Sequence, residues 1–177
     1  MSHTPTASLE PATLQDVAQR RARVRAPLSL KGRALRLLAR REHSRAELRR
    51  KLLAQETDAA ELDAVLDELE SKRLLSDKRY AEVLAQSKGG RYGVATLYRT
   101  LSQQGVSPEV AAAALEPLRS NERERALEVW RRRFGEPPAD LKERARQHRF
   151  LLARGFDGAT VSWILKTAGK EEKEGGE

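Results

Sequence analysis

The sequence predicts an all-α fold: an elongated array of three tandem three-helix units, about nine helices in all, behind a partly helical N-terminal arm. Three observations carry that expectation. Apolar residues recur at helical spacing wherever a period is readable, and no segment shows the alternation of a strand. Nearly every joint bears a capping side chain, a glycine or a proline. A pattern also recurs at about 50 residues, in the size range of stacked helical units: Leu101-Ser-Gln-Gln-Gly105-Val106 matches Leu151-Leu-Ala-Arg-Gly155-Phe156, and Leu66, Leu115 and Leu165 fall into line behind them.

Residues 1–29 read as a flexible arm, Ser/Thr/Pro-rich at first, with Leu14, Val17 and Ala18 on one face of a helical stretch between Leu9 and Arg25. The first unit is expected over 30–75. Leu35, Leu38 and Ala39 line its first helix. Ser44 and Glu47 form a capping box at the start of the second, where each side chain would satisfy an amide at the other's position, and Leu48 and Leu52 supply the apolar stripe. Asp58 opens the third helix, with Leu62, Val65, Leu66 and Leu69 at i, i+3, i+4 and i+7.

The second unit is expected over 76–119. Ser76 caps a helix bearing Tyr80, Val83 and Leu84, which ends at Gly89-Gly90; Val94, Leu97 and Leu101 lead to Gly105; Ser107 and Pro108 open a helix with Val110, Ala114 and Leu115. The third unit covers 120–168. Asn121 with Glu124 starts a helix carrying Leu127, Trp130 and Phe134, broken by Gly135 and Pro137-Pro138; Leu141, Ala145, His148, Leu151 and Leu152 follow, then Val161, Ile164 and Leu165. Residues 169–177 read as a disordered charged tail. Helices this short predict that neighbouring units share a core.

Composition narrows the function. Lys and Arg number 34 against 26 acids, a net charge of +8, which calls for a polyanion or an acidic protein surface as partner. Cysteine is absent, excluding disulfides, thiolate catalysis and Cys-based zinc sites, and the absence fits a reducing cytoplasm. Nothing approaches the ~18 apolar residues of a membrane span, so no membrane association is expected and the chain reads as a cytoplasmic monomer. No phosphate-binding P-loop, nucleophile elbow or His-Glu-x-x-His helix occurs, and His3, His43 and His148 stand apart in sequence. The chain therefore reads as a binding protein, not an enzyme, with no catalytic, cofactor-binding or metal-ligating residue assigned.

Position makes the cations informative. Arg40, Arg41, Arg45, Arg49 and Arg50 gather around the first helix-turn-helix, and Arg131, Arg132 and Arg133 form a run, whereas the third helix is rich in acids. Lys88-Gly-Gly-Arg91-Tyr92-Gly93 reads as an interhelix loop whose glycines and cations would also suit a phosphate; the two readings are compatible. Stacking of bases needs exposed aromatics, for which Tyr92 and Tyr98 are the candidates, while Trp130, Phe134, Phe150, Phe156 and Trp163 read as core or repeat-joining residues.

Three motifs in order, Arg40-Arg-Glu-His-Ser-Arg-Ala-Glu-Leu48 with Lys51-Leu52, Leu75-Ser-Asp-Lys-Arg-Tyr-Ala81 and Arg154-Gly-Phe156, resemble the RecX family over roughly Leu30 to Ala168. Glu56 stands where the repeat and the family favour glycine, and Tyr80 replaces a usual phenylalanine. The resemblance implies a regulator of RecA, usually an inhibitor, that docks in the groove of the RecA–DNA filament and restrains strand exchange, ATP hydrolysis and coprotease activity in recombination, repair and the SOS response. Ser44, Glu47, Leu48, Leu52 and Gly155, on the motif positions, read as caps, core and turn. The candidate contacts with RecA and DNA are Arg40, Arg41, Arg45, Arg49, Arg50, Lys88, Arg91, Tyr92, Arg131, Arg132 and Arg133. Binding to single- or double-stranded DNA alone is expected to be weak and non-specific. Two other readings are a helix-turn-helix DNA-binding protein, with Arg45, Arg49 and Arg50 in a major groove, and a helical scaffold for an acidic protein.

Overall fold

Polar side chains at the joints set where the helices begin. The structure, a computed structural model, describes residues 28–54 and 58–174, with side chains as far as Thr167. Among the described residues there are nine helices and no strand. The first unit holds α1 (Leu30–Leu38), α2 (Arg45–Leu53) and α3 (Ala59–Ser71); the second holds α4 (Asp77–Lys88), α5 (Val94–Gln103) and α6 (Pro108–Arg119); the third holds α7 (Glu122–Arg133), α8 (Leu141–Ala153) and α9 (Gly158–Glu174). Ser29, Ser44, Asp58, Ser76, Ser107 and Asp140 each accept an amide from the first turn that follows, satisfying donors that would otherwise be orphaned. The N-terminal helical stretch and the turn at Glu56 lie outside the described residues.

Several expected features are corrected. The capping box of α2 is half made: Glu47 N donates to Ser44 Oγ at 3.0 Å, but the Glu47 carboxylate turns to Arg41. Asn121 does not cap α7, because its backbone (φ −116, ψ 21) lacks the extended conformation that aims a cap side chain at the next amides, and its Oδ1 accepts from Arg125 instead. The last helix continues to Glu174, past the point where a disordered tail was expected, because Lys and Glu are good helix formers and extending an established helix is cheap.

Each unit closes its own apolar cluster. The first is built on Leu48, Leu52, Leu62, Leu66 and Leu69, the second on Ala81, Leu97, Leu101, Ala111 and Leu115, the third on Ala126, Trp130, Leu151, Phe156 and Ile164. The extensive helix–helix packing runs within units: α2 on α3, α4 and α5 on α6, α7 and α8 on α9. The expectation of a core shared between neighbours is therefore corrected, because three helices of nine residues or more suffice to cover one another's stripes. The face of α1 that enters the core is Leu30 and Ala34, with Leu35 and Ala39 turned outward. Val83 and Leu152 are exposed, and Leu141 is 84% exposed at the start of α8. Gln147 takes the buried place instead, accepting the Trp130 indole N–H at 2.7 Å.

The two junctions between units are polar, and they are built alike. At the first, Ser44 Oγ donates to Gln104 O (2.6 Å) and the leading amide of α2, Arg45 N, to Asp77 Oδ1 (2.7 Å). At the second, Gly93 N donates to Arg154 O (2.9 Å) and the leading amide of α5, Val94 N, to Glu122 Oε1 (3.0 Å). The acid that opens each unit thus sits on the start of the preceding unit's second helix, where the helix dipole favours negative charge. The turn after the second helix meets the same place. Gly105 (φ 75) and Gly155 (φ 84) hold that turn in the left-handed region. A Cβ on Gly105 would lie 2.5 Å from that of Ala46, and one on Gly155 would overlap Thr96.

Candidate partner interface

The arginines around the first helix-turn-helix are largely spoken for within the chain. Arg45 reaches Asp67 (2.8 Å) and Glu70 (2.6 Å), and Arg49 holds Asp63 through two hydrogen bonds of 2.8 and 3.1 Å. The segregation of basic α2 from acidic α3 is thus a pairing of neighbours. Arg41 forms a two-pronged pair with Glu47, a carboxylate that Lys51 also reaches at 3.1 Å. Burial opposes the Glu47 charge, but hydrogen bonds from Arg41 and Lys51 outweigh it and hold the carboxyl at about 2. His43, almost fully buried, has Nδ1 3.1 Å from Glu47 Oε2 at an angle that makes no hydrogen bond, and burial lowers its pKa.

Arg50 is exposed, its guanidinium donating to Gln104 Oε1 at 2.6 Å, and Arg40 has no ion pair among the described residues. Lys88 borders a cavity of about 400 Å³ between the first two units, shared with Arg41, Tyr80 and Thr100. The loop after it turns inward. Arg91 N and Tyr92 N both donate to Lys88 O, Gly93 N to Arg154 O, and the carbonyls of Gly89 and Tyr92 accept from Arg125. Those amides are spent inside the protein, so the loop is a joint to the third unit and not a phosphate cradle. The Tyr92 ring lies beside the Arg154 guanidinium (5.7 Å), which stacks on Phe150 at 4.5 Å. Of the arginine run, Arg132 pairs with Glu128 at 2.8 Å, Arg133 lies 5.6 Å over Phe134, and Arg131 is exposed.

Trp163 departs from expectation: it is 36% exposed on α9 with Arg123 over its ring at 5.7 Å. Of the residues that join the units, Asp77, Arg79 and Arg154 lie in the family-like motifs but were given no joining role, and Glu122 and Arg125 were not singled out from the sequence. A signal was present, an acid directly after the presumptive cap at Ser76 and again at Asn121, but its recipient is an amide 28 or 32 residues away. Among the described residues no helix is long and apolar enough to cross a membrane, and no three acids or histidines gather as a metal site.

Family comparison resolves what kind of array this is. The RecX first, second and third three-helix domains match residues 31–69, 76–115 and 121–165, one to each unit and in order. A regulatory protein RecX from Leptothrix cholodnii is 50% identical, the match covering 83% of this chain and 94% of that one. The chain belongs to the RecX family. A RecX from Ralstonia pickettii is 49% identical over 84% of the chain and 92% of the relative, and one from Neisseria meningitidis FAM18 is 43% identical over 84% and 96%. The crystal structure of RecX from Lactobacillus salivarius superposes with a TM-score of 0.67 at 19% identity, covering 79% of this chain and 94% of that one, which shows a shared fold. RecX proteins are named as regulatory proteins, and this chain has the regulatory family's architecture throughout its three units.

Proposed function

We propose that this chain regulates RecA, binding along the groove of the RecA–DNA filament in the cytoplasm and inhibiting strand exchange, ATP hydrolysis and coprotease activity. The observation that carries the reading is the match of all three units, in order, to the RecX domains. A row of rigid units with separate cores presents a long surface to a partner that repeats. Of the candidate contacts, Arg40, Arg50, Lys88, Arg91 and Arg133 are the ones free of acid partners within the described residues, so they carry the expected docking; Arg41, Arg45, Arg49 and Arg132 contribute through a face whose charge is already partly neutralised. The protein acts as a monomer and binds DNA alone weakly and without sequence preference. ATP hydrolysis by RecA on single-stranded DNA, measured with and without this protein, tests the proposal: a dose-dependent fall is expected, and an unchanged rate overturns it. Major-groove reading by Arg45 and Arg49 is disfavoured because both are tied to α3.

A further inference from the structure

The second helices of the three units share a register beyond their buried leucines. Leu52, Leu101 and Leu151 are each fully buried, and two residues before each stands an exposed arginine: Arg50, Arg99 and Arg149. Two residues in a helix turn about 200°, so each arginine projects from the side opposite its leucine. The two junctions are built from corresponding contacts, a bond to the turn after the next unit's second helix and one to the acid that opens that unit, so the three arginines occupy equivalent positions, one per unit. While Arg41, Arg45, Arg49 and Arg79 hold carboxylates, none of these three has an acid partner among the described residues.

Next to Arg99 the half-buried Tyr98 ring lines a groove of about 620 Å³ between α5 and the third unit, with Val94 and Ala95 beside it and Arg119 across it. Two acids also border the groove, and both are engaged: Glu122 with the Val94 amide, and Asp157 with the Thr160 amide and hydroxyl. Apolar lining, an aromatic ring and cations on two sides fit a base with its phosphate.

We propose that Arg50, Arg99 and Arg149 form a track for the phosphates of single-stranded nucleic acid, with Tyr98 as a stacking platform for a base at the middle of the row. The proposal deepens the weak DNA binding put forward above and does not depend on RecA. A flexible strand favours this occupant over an acidic protein or a duplex. It offers a phosphate at every nucleotide, so it adapts to whatever spacing the stacked units impose, whereas fixed charges would have to match that spacing. Unpaired bases are also free to reach Tyr98.

The test is fluorescence anisotropy of the full chain with a labelled thymidine oligomer, and with the matching duplex, between about 50 and 200 mM salt, where each phosphate neutralised on a single strand contributes about 0.7 to the slope of log K against log salt. Replacing all three arginines (R50Q, R99Q and R149Q) should flatten the slope by about 2. A control with the same loss of charge at exposed cations outside the row and the candidate contacts, K78Q, R144Q and K166Q, should leave it near the parent value. Tyr98→Leu should weaken strand binding about tenfold while keeping the slope. Circular dichroism verifies that each variant is folded. Equal flattening by both triple variants, tighter binding of the duplex, or no measurable strand binding by the parent overturns the track. So does loss of RecA inhibition in the first triple variant with its strand binding unchanged, an outcome that would make the row a protein contact and leave the RecA reading intact.

Discussion

Glu47 shows how a single residue carries local order. Its carboxylate gathers Arg41 and Lys51 beside buried His43, and its amide is held by the Ser44 cap, so α1's exit, α2's start and the first junction meet there. Because its carboxyl is depressed from 4.5 to about 2, the stability it supplies is complete above pH 4.5 and is lost as pH falls towards 2. The loss should be about 2–3 kcal/mol. His43 acts earlier in the same direction: burial lowers its pKa, so the folded state binds fewer protons than the unfolded one and stability declines as pH drops below 6.5. Thermal melts from pH 7 to 2.5 should show both declines, and Glu47→Gln should remove the lower one; a melting temperature flat across that range would refute the assignment. Arg73 is a simpler case. It sits at φ 57 after α3, a conformation that costs an L-residue about 1 kcal/mol, so Arg73→Gly should raise the melting temperature by about 2–4 °C. At this scale the sequence was half legible: Ser44 as a cap followed from its place before an apolar period, whereas the partner of Glu47 depends on how the loop at Arg41 folds back, which no spacing encodes.

Among the elements, the second helix of each unit does the joining. α2 and α5 each begin on a carboxylate lent by the next unit, Asp77 and Glu122, while α8 begins on its own Asp140. Gly93 has no side chain with which to cap α5, so Glu122 is the more exposed to loss of function, and burial raises its pKa while the Val94 amide opposes that. Asp77→Asn and Glu122→Ala should each destabilise the fold by about 0.5–2 kcal/mol, the measured range for removal of a helix cap. The second should also increase amide exchange at Val94 and the residues after it more than within α4. Uniform exchange across the second unit would speak against a local cap. Among the described residues helix existence was legible because the apolar period and most of the caps agree. Face was less so: Leu35, Val83 and Leu141 satisfy a helical stripe as well as Ala34, Ala81 and Gln147 do, and which stripe is buried follows from how the other two helices of the unit approach.

For the whole molecule, the decisive fact is that three apolar clusters are held in series by polar joints. The repeat predicted three units from sequence, since Gly105 and Gly155 mark equivalent turns, but it also led to the expectation of a shared core, because periodicity gives the apolar face of a helix without giving the partner that covers it. Separate clusters change what truncation should do. Ending the chain after Arg119 removes the third cluster, the Glu122 cap and the Arg125 bonds to Gly89, Tyr92 and Leu118, yet leaves the first two clusters and their junction untouched. The shortened protein should stay helical and melt cooperatively, with its losses confined to the start of α5 and the loop before it. Binding should suffer more than folding. A row of units touching several subunits of a filament gains from linked contacts at high effective concentration, so removing one unit costs more than its own contacts are worth. Inhibition of RecA by the truncated protein should therefore be weaker than that of a full-length variant with Arg131, Arg132 and Arg133 neutralised, at matched helicity. Equal inhibition by truncated and full-length protein would place docking at a single site within the first two units.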